Sequence, residues 1–87
     1  MMRRTVTVKN KLGLHARPSA LMVRAATKFR SEFYIEKDGT KVNGKSIMGV
    51  MMLAAECGST LELIAEGVDE EYLITEIGDM IESGFGE

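Results

Sequence analysis

The chain has 87 residues, 45% hydrophobic and 28% charged, which suits one small folded domain over 1–87 and is too apolar for a disordered segment. Its 11 basic and 13 acidic residues leave a net charge of −2, which removes the electrostatic case for a nucleic-acid partner. Cys57 is the only cysteine, so an internal disulfide is excluded, and no apolar run reaches membrane-spanning length; the expected location is the cytoplasm.

In chain order, RRTVTVKN alternates, with Val6 and Val8 on one side and Thr5 and Thr7 on the other, and predicts a strand. KLGLHARP breaks the alternation and reads as a loop. From Arg17 to about Phe29, Leu21, Met22, Ala25, Ala26 and Phe29 recur at helical spacing. Pro18 suits the first turn of that helix, where a missing N–H costs nothing. SEFYIEK alternates again, with Phe33 and Ile35 on one face, and Asp38-Gly39 predicts a tight hairpin turn into the strand TKVN. Ser46 is placed to cap a short helix over IMGVMML, with Val50 and Leu53 inward. After the turn AAECGS, TLELIAEG is a strand with Leu61, Leu63 and Ala65 facing in. Asp69 is the expected cap of a last helix, whose stripe is Leu73, Ile77, Met80 and Ile81 and whose end is Gly84. Four strands with one apolar face each bury that face most simply under helices on one side of an antiparallel sheet, an α+β sandwich in the order β-α-β-β-α-β-α. The order also fits ferredoxin-like folds, and the pattern leaves the sheet topology open.

Two segments bear on chemistry. GTKVNGKS, Gly39 to Ser46, matches the nucleotide-phosphate loop G-x-x-x-x-G-K-[ST]. The context speaks against that reading. A phosphate loop wraps between one strand and one helix, whereas here the two glycines fall at opposite ends of a predicted strand. The second segment, NKLGLHARPSA, holds the only histidine, His15, at the predicted cap of the first helix. The backbone N–H groups that follow, at Ala16 and Arg17, have no partner within the helix, and the helix dipole favours an anion there. Arg17 adds a permanent cation with donors shaped for phosphate. A neutral imidazole is a nucleophile, so the set can be read as a histidine that accepts a phosphoryl group; the plain alternative is a polar residue at a helix start beside a surface arginine.

GLHARPSA and KSIMGVMML, at the separation they have here, resemble the active-site and regulatory-serine segments of the HPr family. These are the histidine-containing phosphocarriers of the bacterial phosphoenolpyruvate-dependent phosphotransferase system, and the similarity spans the whole chain. The resemblance implies an open-faced β-sandwich, with a four-stranded antiparallel sheet and three helices on one face. It implies that His15 takes phosphate from enzyme I and passes it to IIA domains of sugar permeases, with Arg17 as the positive partner. The chain would then be a transfer intermediate rather than a stand-alone enzyme, working as a monomer. Ser46 matches the serine that a separate ATP-dependent kinase, the HPr kinase/phosphorylase, modifies. Gly44 departs from the larger apolar residue often found two places before that serine. NKLGLHARP and SGFGE are also similar to the nitrogen-related, regulatory branch. A small-ligand regulatory module of ferredoxin-like fold is the other alternative.

The docking residues expected from this reading are Leu14, Ala20, Arg24, Ile47, Met48 and Met51, since methionines on a short helix make an adaptable contact surface. Arg24 and Lys28 follow Arg17 along the helix and either extend a basic stripe or are simply solvated. Cys57 reads as a small filler. Glu62, Glu66, Asp69, Glu70 and Glu71 read as a solvated face rather than a metal site, and nothing in the sequence calls for a cofactor.

Overall fold

The alternation of TLELIAEG sets the centre of the molecule. In the computed structural model, which describes residues 1–87, this segment is the strand β4, Thr60–Glu66. The other elements are β1 (Met2–Thr7), α1 (Ala16–Ala26), β2 (Glu32–Lys37), β3 (Thr40–Asn43), α2 (Ile47–Met52) and α3 (Glu70–Glu82), followed by a 3₁₀ turn at Gly84–Gly86. The sheet order is β1-β4-β2-β3 and every pairing is antiparallel. The last strand in sequence is thus inserted between β1 and β2.

The register follows from the period of two. Val6 lies opposite Leu61, and Leu63 lies between Arg4 and Ile35. Leu61, Leu63, Ala65, Phe33, Ile35 and Val6 are all buried on the helix side, where Met22, Ala26, Val50, Leu73, Ile77 and Ile81 meet them. Each large side chain buried here contributes about 1.5–3 kcal/mol. The outer face is open except at Ile64, which is buried between its cross-strand neighbours Arg3 and Tyr34.

Three details depart from the sequence reading. Helix α1 stops at Ala26 rather than near Phe29: the N–H groups of Lys28 and Phe29 bond three residues back, and the Thr27 hydroxyl donates to the Arg24 carbonyl at 2.8 Å. Val23 takes the core position expected of Leu21, which is half-buried, and Ile74 joins the stripe of α3. Asp69 stands before α3 but makes no side-chain cap there. Its carboxylate accepts from the Arg30 and Ser31 N–H groups, both at 2.9 Å, and from the Ser31 hydroxyl. It ties the α1–β2 connection to the start of α3, while Glu70 accepts from the Gly67 N–H at 3.0 Å.

The Ser31 hydroxyl, followed by the Arg30 N–H, holds the Asp69 carboxyl down to about 2 from an ordinary 3.8. A carboxyl depressed on folding adds stability above its unfolded value, and that stability is lost as pH falls through the folded one. Acid unfolding of the parent should therefore include a contribution between about pH 4 and pH 2 that is missing in Asp69→Asn. Thermal melts of both proteins across that window check this: the difference in Tm is expected to be greatest near pH 6, to shrink toward pH 2 and to close below it.

Gly44 finds its explanation in β2. Its N–H donates to the Phe33 carbonyl at 2.8 Å, and a Cβ at 44 would lie 2.2 Å from the Phe33 ring. The aromatic ring fills the space that a side chain at 44 would occupy. The rest of GTKVNGKS is divided among separate tasks. Asp38 and Gly39, both at positive φ, form the hairpin turn; Lys45 Nζ donates to the Phe29 carbonyl at 2.7 Å; and the Ser46 hydroxyl oxygen accepts from the Gly49 N–H at 3.1 Å. The two glycines do not surround a common space, which agrees with the sequence reading against a nucleotide loop.

Candidate functional site

His15 is the N-cap of α1 in extended conformation, and its carbonyl accepts the first helical bond, from the Ser19 N–H. Its side chain makes no capping bond, so the ring is free for other use. Pro18 is the third helical residue and has no N–H, which leaves the Ala16 and Arg17 N–H groups as the open donors of the first turn. Ala16 and Arg17 are both exposed. Arg17 forms no ion pair or side-chain hydrogen bond, unlike Arg3, Arg4 and Lys9, which pair with Glu62, Asp79 and Glu82.

The loop before His15 is held from both sides. The Asn10 amide donates to the Gly13 carbonyl at 2.6 Å, and the Leu14 N–H donates to the Ala55 carbonyl at 2.9 Å. Gly13 has φ +71°, and a Cβ there would lie 2.4 Å from the Ala55 oxygen, so only glycine lets the two loops touch. Leu14 is a core residue, 4% exposed. Its expected docking role is therefore corrected: the side chain anchors the loop and presents nothing to a partner.

The histidine ring has two unlike nitrogens. Nε2 is buried and has no hydrogen-bond partner, and it faces the Glu87 carboxylate at 3.5 Å. Nδ1 is neither buried in this way nor engaged in a hydrogen bond. The Glu87 carboxylate is also 3.5 Å from the Asn10 amide. Neither Asn10 nor Glu87 was singled out from the sequence. Asn10 stands three residues before a glycine, the spacing of a side-chain-closed turn, and was in principle visible. Glu87 lies 72 residues beyond His15, and no local pattern links them.

The remaining expected contacts lie on α1 and α2, which pack against each other. Met48 is 75% exposed, Ile47 and Met51 are less so, and Val50 and Leu53 point inward as expected. Met52 and Leu12 are also exposed, and the sequence reading had not selected them. Ala20 is half-buried and Arg24 is exposed without an ion pair. Lys28 turns away to Glu76 at 2.8 Å, so the basic stripe reduces to Arg17 and Arg24. Cys57 is exposed, with Sγ 3.6 Å from the Lys9 carbonyl, and is not a core filler. Among the acidic residues, Glu62 holds Arg3 and Glu70 holds the chain's amino group, each at a different place.

Comparison with known proteins covers the chain nearly end to end. Residues 2–83 match the family model described as the PTS HPr component phosphorylation site. The chain is similar to the phosphocarrier protein HPr of Treponema pallidum, at 48% identity over 100% of this chain and 99% of the relative. It is also similar to the HPr-like protein Crh of Halalkalibacterium halodurans, at 59% identity over 82% of this chain and 84% of that one. A crystal structure of HPr-C-His from Thermoanaerobacter tengcongensis superposes with a TM-score of 0.96 at 54% identity, covering 100% of this chain and 98% of that chain. A second structure from that organism, described as an HPr dimer, gives 0.80 at the same identity, with both chains fully covered. The sheet of four antiparallel strands under three helices is the architecture of these structures. With a family match over residues 2–83 and a relative matched along its length, the chain belongs to the HPr phosphocarrier family of the phosphotransferase system.

Proposed function

We propose that this phosphocarrier holds its phosphoryl group on His15, receives it from enzyme I and passes it to IIA domains of sugar permeases in the cytoplasm. The observation that carries the reading is the asymmetry of the ring: Nε2 is buried against Glu87, and Nδ1 is the nitrogen a donor can reach. A phosphoryl group on Nδ1 would lie at the start of α1, where the Ala16 and Arg17 N–H groups and the Arg17 guanidinium supply donors and positive charge. Incubation with phosphoenolpyruvate and enzyme I tests it. One acid-labile phosphate per chain is expected, and none would overturn the reading.

Docking in this reading uses Arg17 and Arg24 for charge and Ile47, Met48 and Met51 for apolar contact. Arg17→Glu should slow transfer by about tenfold or more at low salt, because it reverses the charge offered to an acidic partner. Met48→Asp should weaken association by more than about 1 kcal/mol, yet change stability by less than about 0.5 kcal/mol, since the side chain is mostly exposed. Titration calorimetry with enzyme I and a thermal melt separate the two quantities. Full-strength binding by Met48→Asp would move the docking surface elsewhere. The carrier works as a monomer, and sedimentation at micromolar concentration checks this against the dimer seen for the Thermoanaerobacter relative.

Ser46 is the site of a regulatory phosphate from a separate kinase. Its hydroxyl already faces the start of α2 through the Gly49 N–H, so an added charge of about −1.5 to −2 meets a positive helix end and the fold tolerates it. The cost falls on docking, because the anion stands beside the exposed Ile47 and Met48. Ser46→Asp should slow acceptance from enzyme I with an unchanged melt; acceptance at the parent rate would remove Ser46 from the regulatory role. A regulatory phosphocarrier of the nitrogen-related branch would use the same His15 chemistry, and phosphate transfer to a sugar-permease IIA domain distinguishes the two.

A further inference from the structure

Helix α2 reads IMGVMM and carries no polar side chain. Val50 is buried in the core, and the outer surface is rich in sulfur: Met48 is 75% exposed, Met52 76% and Met51 42%. Met48 and Met52 are four residues apart, and Met48 and Met51 three, so the thioethers share one side of the helix. The other methionines are placed differently. Met22 is fully buried, and Met2 and Met80 are partly buried against the core. Met1 is exposed, but its amino group pairs with Glu70 at the start of α3, whereas α2 packs on α1 and β3. A methionine open to water can be oxidised to the sulfoxide, which turns a flexible apolar side chain into a polar one. In the free protein the added oxygen would be hydrated, and no core contact would be lost. Under a docked partner the same oxygen would leave water, and no side chain of α2 could donate to it.

We infer that Met48 and Met52, followed by Met51, are a site of reversible oxidation, and that their sulfoxides weaken partner docking while leaving the fold intact. This rests on the reading of α2 as a docking surface. The oxidant is a peroxide. A sulfur lone pair forms the S–O bond as the O–O bond breaks, and the proton of the transferred hydroxyl passes to the departing hydroxide. Sulfur is oxidised by two electrons, and hydrogen peroxide is reduced to one water. In the reverse step a dithiol, acting through a methionine sulfoxide reductase, supplies two electrons and two protons. The thioether returns, the oxygen leaves as water and the dithiol becomes a disulfide. Exposure sets the order of reaction, and the same exposure makes the change neutral for folding and costly for binding.

The test uses the full chain carrying Cys57→Ser, because the exposed Cys57 thiol would also react with peroxide. The protein is treated with hydrogen peroxide, which is removed before enzyme I is added. Peptide mass mapping reports which methionines gain oxygen, and titration calorimetry with enzyme I reports binding. Met48 and Met52 should oxidise ahead of Met51, and all three well ahead of Met22. Binding should weaken by about tenfold, the effect of burying one unpaired acceptor, with an unchanged thermal melt. The two methionine sulfoxide reductases, supplied with dithiothreitol, should restore it; dithiothreitol alone should not. Met48→Leu/Met51→Leu/Met52→Leu should bind within about twofold of its own untreated affinity after peroxide, since the oxidisable sulfurs of α2 are gone. Oxidation of Met22 as fast as Met48 overturns the inference, as does undiminished binding by protein oxidised at Met48 and Met52. An equal loss in the triple leucine variant overturns it too, because the damage would then lie elsewhere. Met48→Asp separates the two readings. If it binds at full strength, the docking surface fails and the inference with it; if it binds weakly while the oxidised protein does not, only the inference fails.

Discussion

His15→Ala is expected to take up no phosphate from phosphoenolpyruvate and enzyme I while keeping the fold of the parent. His15 is the only imidazole in the chain, so no second ring can substitute for it. The fold should survive because the side chain makes no capping bond and belongs to no core cluster. Truncation at an N-cap costs about 0.5–2 kcal/mol when a side-chain bond is lost, and here there is none to lose, so the lower end applies. Removing the ring also leaves the Glu87 carboxylate with more water, which lowers the cost further. The measurement is acid-labile phosphate per chain beside a thermal melt. Label retained by His15→Ala would place the acceptor on another residue, and a collapsed melt would mean that the ring supports the fold after all.

Phe33→Ala should have the largest effect on stability. The ring is 1% exposed on the helix side of β2 and closes the space above Gly44. Truncating a core phenylalanine costs about 3–5 kcal/mol, against a total of about 5–15 kcal/mol for a domain. For a chain of this length that corresponds to a fall in Tm of about 12 °C or more. The contact with Gly44 makes the prediction more specific. Gly44→Ala puts a Cβ 2.2 Å from the ring and should destabilise the parent, yet in the Phe33→Ala background the same methyl enters vacated space. A double-mutant cycle by denaturant unfolding should therefore show coupling of about 1–3 kcal/mol. Additive effects would mean that the ring and Gly44 do not share that space.

Much of the site was legible because it is local. His15, the two donors after it, Pro18 and Arg17 lie within four consecutive residues, and helix capping depends on neighbours in sequence. The same holds for Ser46, whose hydroxyl bonds only three residues ahead. Leu14 was misjudged for the opposite reason. It sits in a polar loop beside the histidine, and its burial is decided by the loop at Ala55 that closes over it. Asp69 looked like a cap because it precedes a helix, but Arg30 and Ser31, 39 and 38 positions away, compete for its carboxylate and win with three donors, two of them from Ser31.

The sequence by itself determined the elements and most of their inward faces, since the periods of strand and helix are properties of consecutive residues, although Val23 rather than Leu21 faces the core. It determined the hairpin at Asp38-Gly39 and the start of each helix that carries a candidate phosphate site. Tertiary structure alone decided that β4 enters between β1 and β2, because a pairing partner is chosen by the whole set of buried faces and not by any one strand. It alone decided which cations remain free: Lys28, just past the end of α1, is drawn to Glu76 on α3, and Arg17 is left unpaired. It alone brought Glu87 and Asn10 behind the imidazole, where a carboxylate 72 residues away in sequence stands 3.5 Å from Nε2.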